Sequence, residues 1–214
     1  VIRGCVPKKL MVFASEFPSI MSEARAYGWD TPQGAFDWAH FRSKMHAELD
    51  RLEGIYRSLL KNAGVETFDA RATVADAHTV ELSTGERKTA KVILLAMGGR
   101  PTLPDIPGIE HAITSNDMFH FDQLPKSILI VGGGYIASEF AGIMNGMGVK
   151  TTQFYRGSQI LRGFDDEARN LVSSEMVARG VDLRLGVNVV AIEKTPQGVR
   201  ITDTDGNSHD FDHV

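Results

Sequence analysis

The sequence predicts an α/β protein, and three observations carry that prediction. A glycine turn, Gly132-Gly133-Gly134, lies between an apolar run and a helical pattern. A second apolar run and a second helical pattern follow in alternation, and two long helical patterns precede them. The chain has 214 residues, 43% of them hydrophobic, enough for one large or two small cores. A charged fraction of 23% and a net charge of −4 give it no pull toward nucleic acid or an anionic membrane. Its longest apolar runs, 92–97 and 127–134, are too short to span a bilayer, and its start does not read as a secretory signal. The single cysteine, Cys5, reads as a reducing-compartment thiol, structural or catalytic.

The elements follow in order. Residues 6–27 read as a helix, with Pro7 in the first turn, an apolar-rich stretch from Leu10 to Ala26, and Gly28 as the stop. Residues 36–62 form the longest helical pattern, with Phe41, Met45, Leu49, Leu52, Ile55 and Leu59 at three-to-four spacing. Short strands are expected at 66–74, 79–82 and 91–96, the last two joined by the turn Ser83-Thr84-Gly85-Glu86. The stretch 98–108, with Pro101, Pro104 and Pro107, reads as a domain crossing. Beyond it come strand 127–131, helix 134–147, strand 149–155 and helix 165–179, whose acidic first turn suits a helix N-terminus. Strands are expected at 181–185, 187–192, 199–202 and 209–211, the last two paired across Asp205-Gly206. Val1 is not a methionine, and Asp212-His213-Val214 end as a strand pattern begins. Both ends are therefore expected to be cuts in a longer chain.

Two places carry chemistry. Gly132-Gly133-Gly134-Tyr135-Ile136-Ala137 matches the G-x-G-x-x-[GA] dinucleotide fingerprint, and it follows a strand, opens a helix and sits in a βαβ unit. Gly132 allows the tight turn, Gly134 lets backbone approach a pyrophosphate, and Ala137 lets helix pack closely on strand. The rival reading is a plain glycine turn. The second strand of the unit, Thr151 to Arg156, carries no acid at its tip to hold a ribose 2′-hydroxyl, and Arg156 and Arg162 flank a short loop there. Two guanidinium groups suit a 2′-phosphate and hence NADPH; the alternative is a pair of solvated surface charges. The second place is Gly4-Cys5-Val6-Pro7-Lys8-Lys9, a thiol at a helix start with two cations in the next turn, both of which favour thiolate. The rival reading is a buried, inert cysteine.

Val1 to Met11 resembles the redox-active helix of the two-dinucleotide, FAD- and NADPH-dependent disulfide oxidoreductases, whose motif is C-x-x-x-x-G-C-V-P-K-K. Leu94 to Pro101 resembles that family's A-T-G-G-R-P stretch, and Gly134 to Gly142 its NADPH helix. The likeness covers essentially the whole chain and is closest to bacterial or plant-type glutathione reductases, from Tyr135-Ile136-Ala137-Ser138-Glu139-Phe140-Ala141-Gly142 with Asn145-Gly146-Met147-Gly148. The resemblance implies an FAD/NAD(P)-binding Rossmann-like two-dinucleotide fold, incomplete at both ends. Residues 1–99 would be part of an FAD-binding domain and residues 100–214 most of an NADPH-binding domain. It implies that Cys5 is the flavin-facing thiol and that its partner cysteine would stand immediately before Val1. Lys8 would lie near the flavin N5 and pair with Glu139, and Tyr135 would gate the nicotinamide site. Ile136 would line the NADPH site, Ala72 and Gly98 the FAD site, and Tyr56 the glutathione site, Tyr56 having the rival reading of a helix-face aromatic. The implied whole protein is a cytoplasmic homodimer that reduces glutathione disulfide with NADPH through FAD. The chain by itself is expected to be inactive. None of its seven histidines matches the family's acid/base motif, and no metal is expected. Met97 stands where the family carries Thr, and Ala70 where many members carry Gly. Alternatives are a trypanothione or thioredoxin reductase, a non-enzymatic NADPH-binding sensor, and a structural domain that binds no nucleotide.

Overall fold

A computed structural model describes residues 4–32 and 34–214. The chain divides into two compact units, one made of residues 1–49 and 102–214, the other of residues 50–101, so the boundary falls inside a helix.

The larger unit opens with α1, Cys5–Ala26, followed by α2, Trp38–Asn62, whose first half belongs here. Asp37 precedes α2 and its carboxylate accepts from the His40 amide at 2.9 Å, the bond expected of an N-cap aspartate. Three parallel strands follow in the order β4–β5–β6: β4 is Ser127–Val131, β5 Lys150–Tyr155 and β6 Asp182–Leu185, the three earlier strands lying in the other unit. The crossover helices are α3, Tyr135–Gly146, and α4, Asp166–Ala178. Because the strands lie in chain order and such crossovers are right-handed, both helices fall on one face of the sheet. Asp165 caps α4 by accepting from the amides of Glu167 and Ala168.

The opposite face is covered by an antiparallel sheet of β7, Val189–Thr195, β8, Gly198–Asp203, and β9, Ser208–Phe211. The alternation of β4 and β5 divides the core accordingly. Ile128 packs with Met11, Met45, Phe140 and Met144 on the helical side. Leu129 and Phe154 pack with Val189, Ile192, Val199 and Ile201 on the other. The end of the chain returns to the first parallel strand: Ile128 bridges His213, and the Asp212 carboxylate accepts from the Lys126 and Ser127 amides.

The feature of this fold that positions the site is the packing of α1 on α3. The buried residues of α1 are Pro7, Met11 and Ala14, at three-to-four spacing. Where the helices approach, a Cβ on Gly146 would stand 2.5 Å from the Ser15 carbonyl oxygen, so glycine is required for this closeness. The first half of α2 is tied down beside them: Trp38 Nε1 donates to the Phe121 carbonyl at 2.7 Å, and Arg42 donates to the same oxygen and to Asp122.

The smaller unit holds the end of α2 and a three-stranded antiparallel sheet, β1, Ala72–Asp76, β2, Thr79–Leu82, and β3, Arg87–Thr89. Two strand expectations need correction here. The strand expected at 66–74 begins only at Ala72, with Arg71 still bonded to Ser83, because Arg57 binds Asp69 and Lys88 sits over the Phe68 ring at 4.3 Å, which holds the residues before Arg71 out of the ladder. The Ser83–Glu86 turn forms, but its second strand is Arg87–Thr89 and not 91–96. Residues 91–96 form no strand, since among the described residues no neighbouring strand offers them a ladder; Val92 and Leu94 are 82% and 87% exposed.

Candidate functional site

The glycine turn is built as the fingerprint requires. Gly132 leaves β4 with φ of +139°, a conformation rare for any residue with a Cβ, and a Cβ there would meet that of Ala137 at 3.4 Å. Gly134, the residue before α3, has nothing within 4 Å of where its Cβ would point, so its backbone faces open space. No side chain caps α3 and no acid lies in its first turn, which leaves its amide groups and positive dipole end to an outside anion. Tyr135 and Ile136, the first residues of the helix, are 58% and 45% exposed beside that space.

The turn is braced from behind. The Gly132 amide donates to the Phe154 carbonyl at 2.9 Å, and the Gly133 carbonyl accepts from the Leu161 amide at 2.6 Å. Leu161 itself adopts φ of +56°, the sole positive-φ residue other than glycine among the described residues. Arg156 and Arg162 flank this loop, both exposed and, among the described residues, without ion-pair partners. Arg169, one turn into α4, holds the loop by donating to the carbonyls of Ile160 and Gln159 and to the Asp166 carboxylate. Two exposed arginines without ion-pair partners among the described residues are thereby held on a loop bonded to the glycine turn.

The second place is on α1. Cys5 is its first residue and its thiol is exposed. One turn on, Lys8 reaches α3 and its Nζ meets Glu139 Oε1 at 2.6 Å, across 131 positions of sequence. Lys9 instead lies over the Phe13 ring at 4.6 Å. The two cations that follow the thiol in sequence therefore have different partners, a carboxylate on another helix and an aromatic face on their own. Glu139 is the fifth residue of α3, beyond the first turn, so its carboxylate is held by Lys8 and not by the helix end. Its second oxygen, Oε2, is buried with no hydrogen-bond partner, an acceptor that awaits a donor.

The structure thus groups Cys5, Lys8, Glu139, Tyr135, Ile136, Ala137 and the glycine turn in the larger unit, with Arg156 and Arg162 on the loop behind it. Tyr56, Ala72 and Gly98 lie in the smaller unit: Tyr56 is 41% exposed on α2, Ala72 opens β1, and Gly98 has φ of +70° outside any element. Among the described residues no group of three or more acidic, histidine or cysteine side chains is placed to hold a metal. Sequence reasoning missed Gln153, Leu161 and Arg169. The signal for Arg169 was its place at the start of an acid-capped helix directly after the arginine loop; nothing in the pattern marked Gln153 or Leu161.

The family model described as pyridine nucleotide-disulphide oxidoreductase matches residues 1–214. The chain is 48% identical over 203 residues to a glutathione reductase from Nostoc sp., covering 94% of this chain and 44% of that protein. It is 44% identical over 214 residues to a glutathione reductase from Burkholderia cepacia, covering all of this chain and 47% of the relative. A trypanothione reductase from Leishmania donovani is 34% identical over 226 residues, with 99% and 46% covered. The chain thus spans a little under half the length of these relatives. In fold it matches the HOCl-induced flavoprotein disulfide reductase RclA from Escherichia coli, with a TM-score of 0.83 over 99% of this chain and 45% of that one, at 20% identity. With a glycine turn whose helix is joined by an ion pair to a helix that begins at a thiol, and a family model matched over residues 1–214, the chain belongs to the pyridine nucleotide-disulphide oxidoreductases.

Proposed function

We propose that this chain is part of an NADPH-dependent flavoprotein reductase of glutathione disulfide. Residues 1–99 would contribute to its FAD-binding domain and residues 100–214 to its NADPH-binding domain. The observation that carries the reading is the Lys8–Glu139 pair at 2.6 Å, which joins the helix that begins at the thiol to the helix that opens at the dinucleotide turn. Identity of 38–48% to glutathione reductases, against 34% to a trypanothione reductase, supports glutathione disulfide as the substrate.

The residues present fit the cofactors. Open space in front of Gly134 and the uncapped start of α3 suit a pyrophosphate, and Arg156 and Arg162 are free for a 2′-phosphate. Ala72 and Gly98 are assigned to the FAD site and Tyr56 to the glutathione site on the resemblance. FAD, when bound, would supply the chemistry that turns hydride from NADPH into an electron pair for a disulfide. The residues of this chain do the rest. Lys8 holds a positive charge one turn from Cys5, where it stabilises negative charge that develops near the thiol. Glu139 fixes that lysine and keeps Oε2 available to a donor on the nicotinamide side. Tyr135, exposed at the start of α3, would cover the site before the dinucleotide arrives, a role assigned on the resemblance. No described helix is long and apolar enough to cross a membrane. A homodimer in the cytoplasm is the setting that the resemblance implies for the whole protein.

The test is to purify the full-length protein with FAD and follow NADPH oxidation with glutathione disulfide, trypanothione disulfide and oxidised thioredoxin offered separately. Turnover with glutathione disulfide above the other two is expected. Turnover with another disulfide alone would remove the substrate assignment and leave the family membership standing.

A further inference from the structure

We infer that Gln153 is a positioning residue for the nicotinamide dinucleotide: a buried amide on β5 that holds the Gly132 carbonyl inside the fold, away from the phosphate cradle. The inference rests on the dinucleotide reading above and deepens it. Gln153 is fully buried, at 0% exposure, on the face of β5 turned toward α3. Its Nε2 donates to the Gly132 carbonyl at 2.8 Å and makes a longer contact of 3.4 Å to the hydroxyl of Ser138, itself buried on α3. The next residue of the strand, Phe154, accepts from the Gly132 amide at 2.9 Å. Both backbone polar groups of the first fingerprint glycine are therefore fixed by consecutive residues of the neighbouring strand, one through backbone and one through a side chain.

The rest of Gln153 argues that this is not idle packing. Its Oε1 is buried without any hydrogen-bond partner. A strand covered on both faces ordinarily carries apolar residues, and a buried amide with one unmet acceptor is costly there. The compensation lies in what the amide's other end controls. With the Gly133 carbonyl taken by the Leu161 amide, the carbonyls of the first two glycines are both bonded to protein, and the turn offers the start of α3 to an anion. Were the Gly132 carbonyl released, two adjacent glycines would let that peptide rotate and set a carbonyl dipole against the pyrophosphate.

The pyrophosphate is common to NADPH and NADH, so the loss should fall equally on both, unlike the loss of an arginine that reads a 2′-phosphate. In the full-length holoenzyme, Gln153→Leu is expected to raise KM for NADPH and for NADH by the same factor, about tenfold, with the loss in KM and not in kcat. Flavin content and Tm check the fold; should leucine lower either, Gln153→Met, which keeps the length without the donor, takes its place. Gln153→Glu supplies a second readout through NADP⁺ binding by calorimetry across pH. Burial raises the pKa of such a carboxyl, and its protonated form can donate an O–H to the Gly132 carbonyl. Compared with wild type at each pH, binding should be equal at low pH and fall behind as the introduced acid ionises. Wild-type KM values in a folded Gln153→Leu protein, or a Gln153→Glu protein with the parent's pH profile, would overturn the inference. If the parent itself bound neither dinucleotide, the proposed function would fall and the inference with it.

Discussion

Lys8 and Glu139 form a short ion pair between side chains that are each only partly covered, at 23% and 36% exposure. Pairs of that exposure contribute little to stability, so the consequence of this one belongs to chemistry. In the full-length protein, Lys8→Met is expected to lower kcat about a hundredfold, by loss of a fixed positive charge beside the reacting groups, with a smaller change in KM for NADPH; steady-state kinetics checks both. Arg156 and Arg162 belong to a different part of the reaction. Each lost hydrogen-bonding cation, in Arg156→Ala or Arg162→Ala, should raise KM for NADPH about tenfold and leave NADH unchanged. Equal effects on the two dinucleotides would remove the 2′-phosphate assignment. At this scale the sequence was informative where a residue type is itself the signal: a thiol at a helix start, a glycine turn, an arginine pair. Residue type alone was silent where the role depends on a partner far along the chain; the Lys8–Glu139 pair was legible only through the family resemblance. Gln153 reads as a polar interruption of a strand until Gly132 is beside it, and that neighbour is a product of the parallel register.

The elements that matter most are α1 and α3, and their crossing depends on one missing side chain. Gly146→Val would drive a branched group into the Ser15 backbone and should lower stability by about 1–3 kcal/mol. Gly142 in the same helix faces open space, so Gly142→Ala should instead add up to about 1 kcal/mol from helix propensity; thermal unfolding separates the two. The β8–β9 turn carries a pH signature. Asp203 is buried and accepts from His209 at 2.8 Å and from the amides of Asn207 and Asp205. Chiefly because of the His209 bond, its carboxyl titrates near about 2, below the usual 3.8. A carboxyl depressed in the folded state stabilises fully above its unfolded pKa and loses that contribution as pH falls through the folded one. Stability of the parent should therefore fall between about pH 4 and pH 2 more steeply than that of Asp203→Asn, as urea titrations at fixed pH would show. Helices and parallel strands were legible to within a residue or two, because each carries its own periodicity. The 91–96 strand was not, since an apolar run specifies burial and only a neighbouring strand makes it a ladder.

Across these 214 residues, the net charge of −4 opposes a polyanionic cofactor, and the two free arginines offset that locally. Affinity for NADPH should accordingly weaken from low to physiological ionic strength more than affinity for NADH, which lacks the extra phosphate. Parallel titrations with the two cofactors would show it, and identical salt dependence would argue against a 2′-phosphate seat on the arginine loop. The sequence order of the whole also has a temporal side. The apolar stripe of α1, with Met11 at its centre, is complete as soon as the helix is made, but the surface it buries against on α3 is encoded more than a hundred residues later. At ribosomal speeds of about 5–20 residues per second, the 131 positions between Lys8 and Glu139 correspond to roughly 7–26 s. For that interval α1 has only the first half of α2 to pack against, and the part of its inner face that meets α3 has no partner yet made.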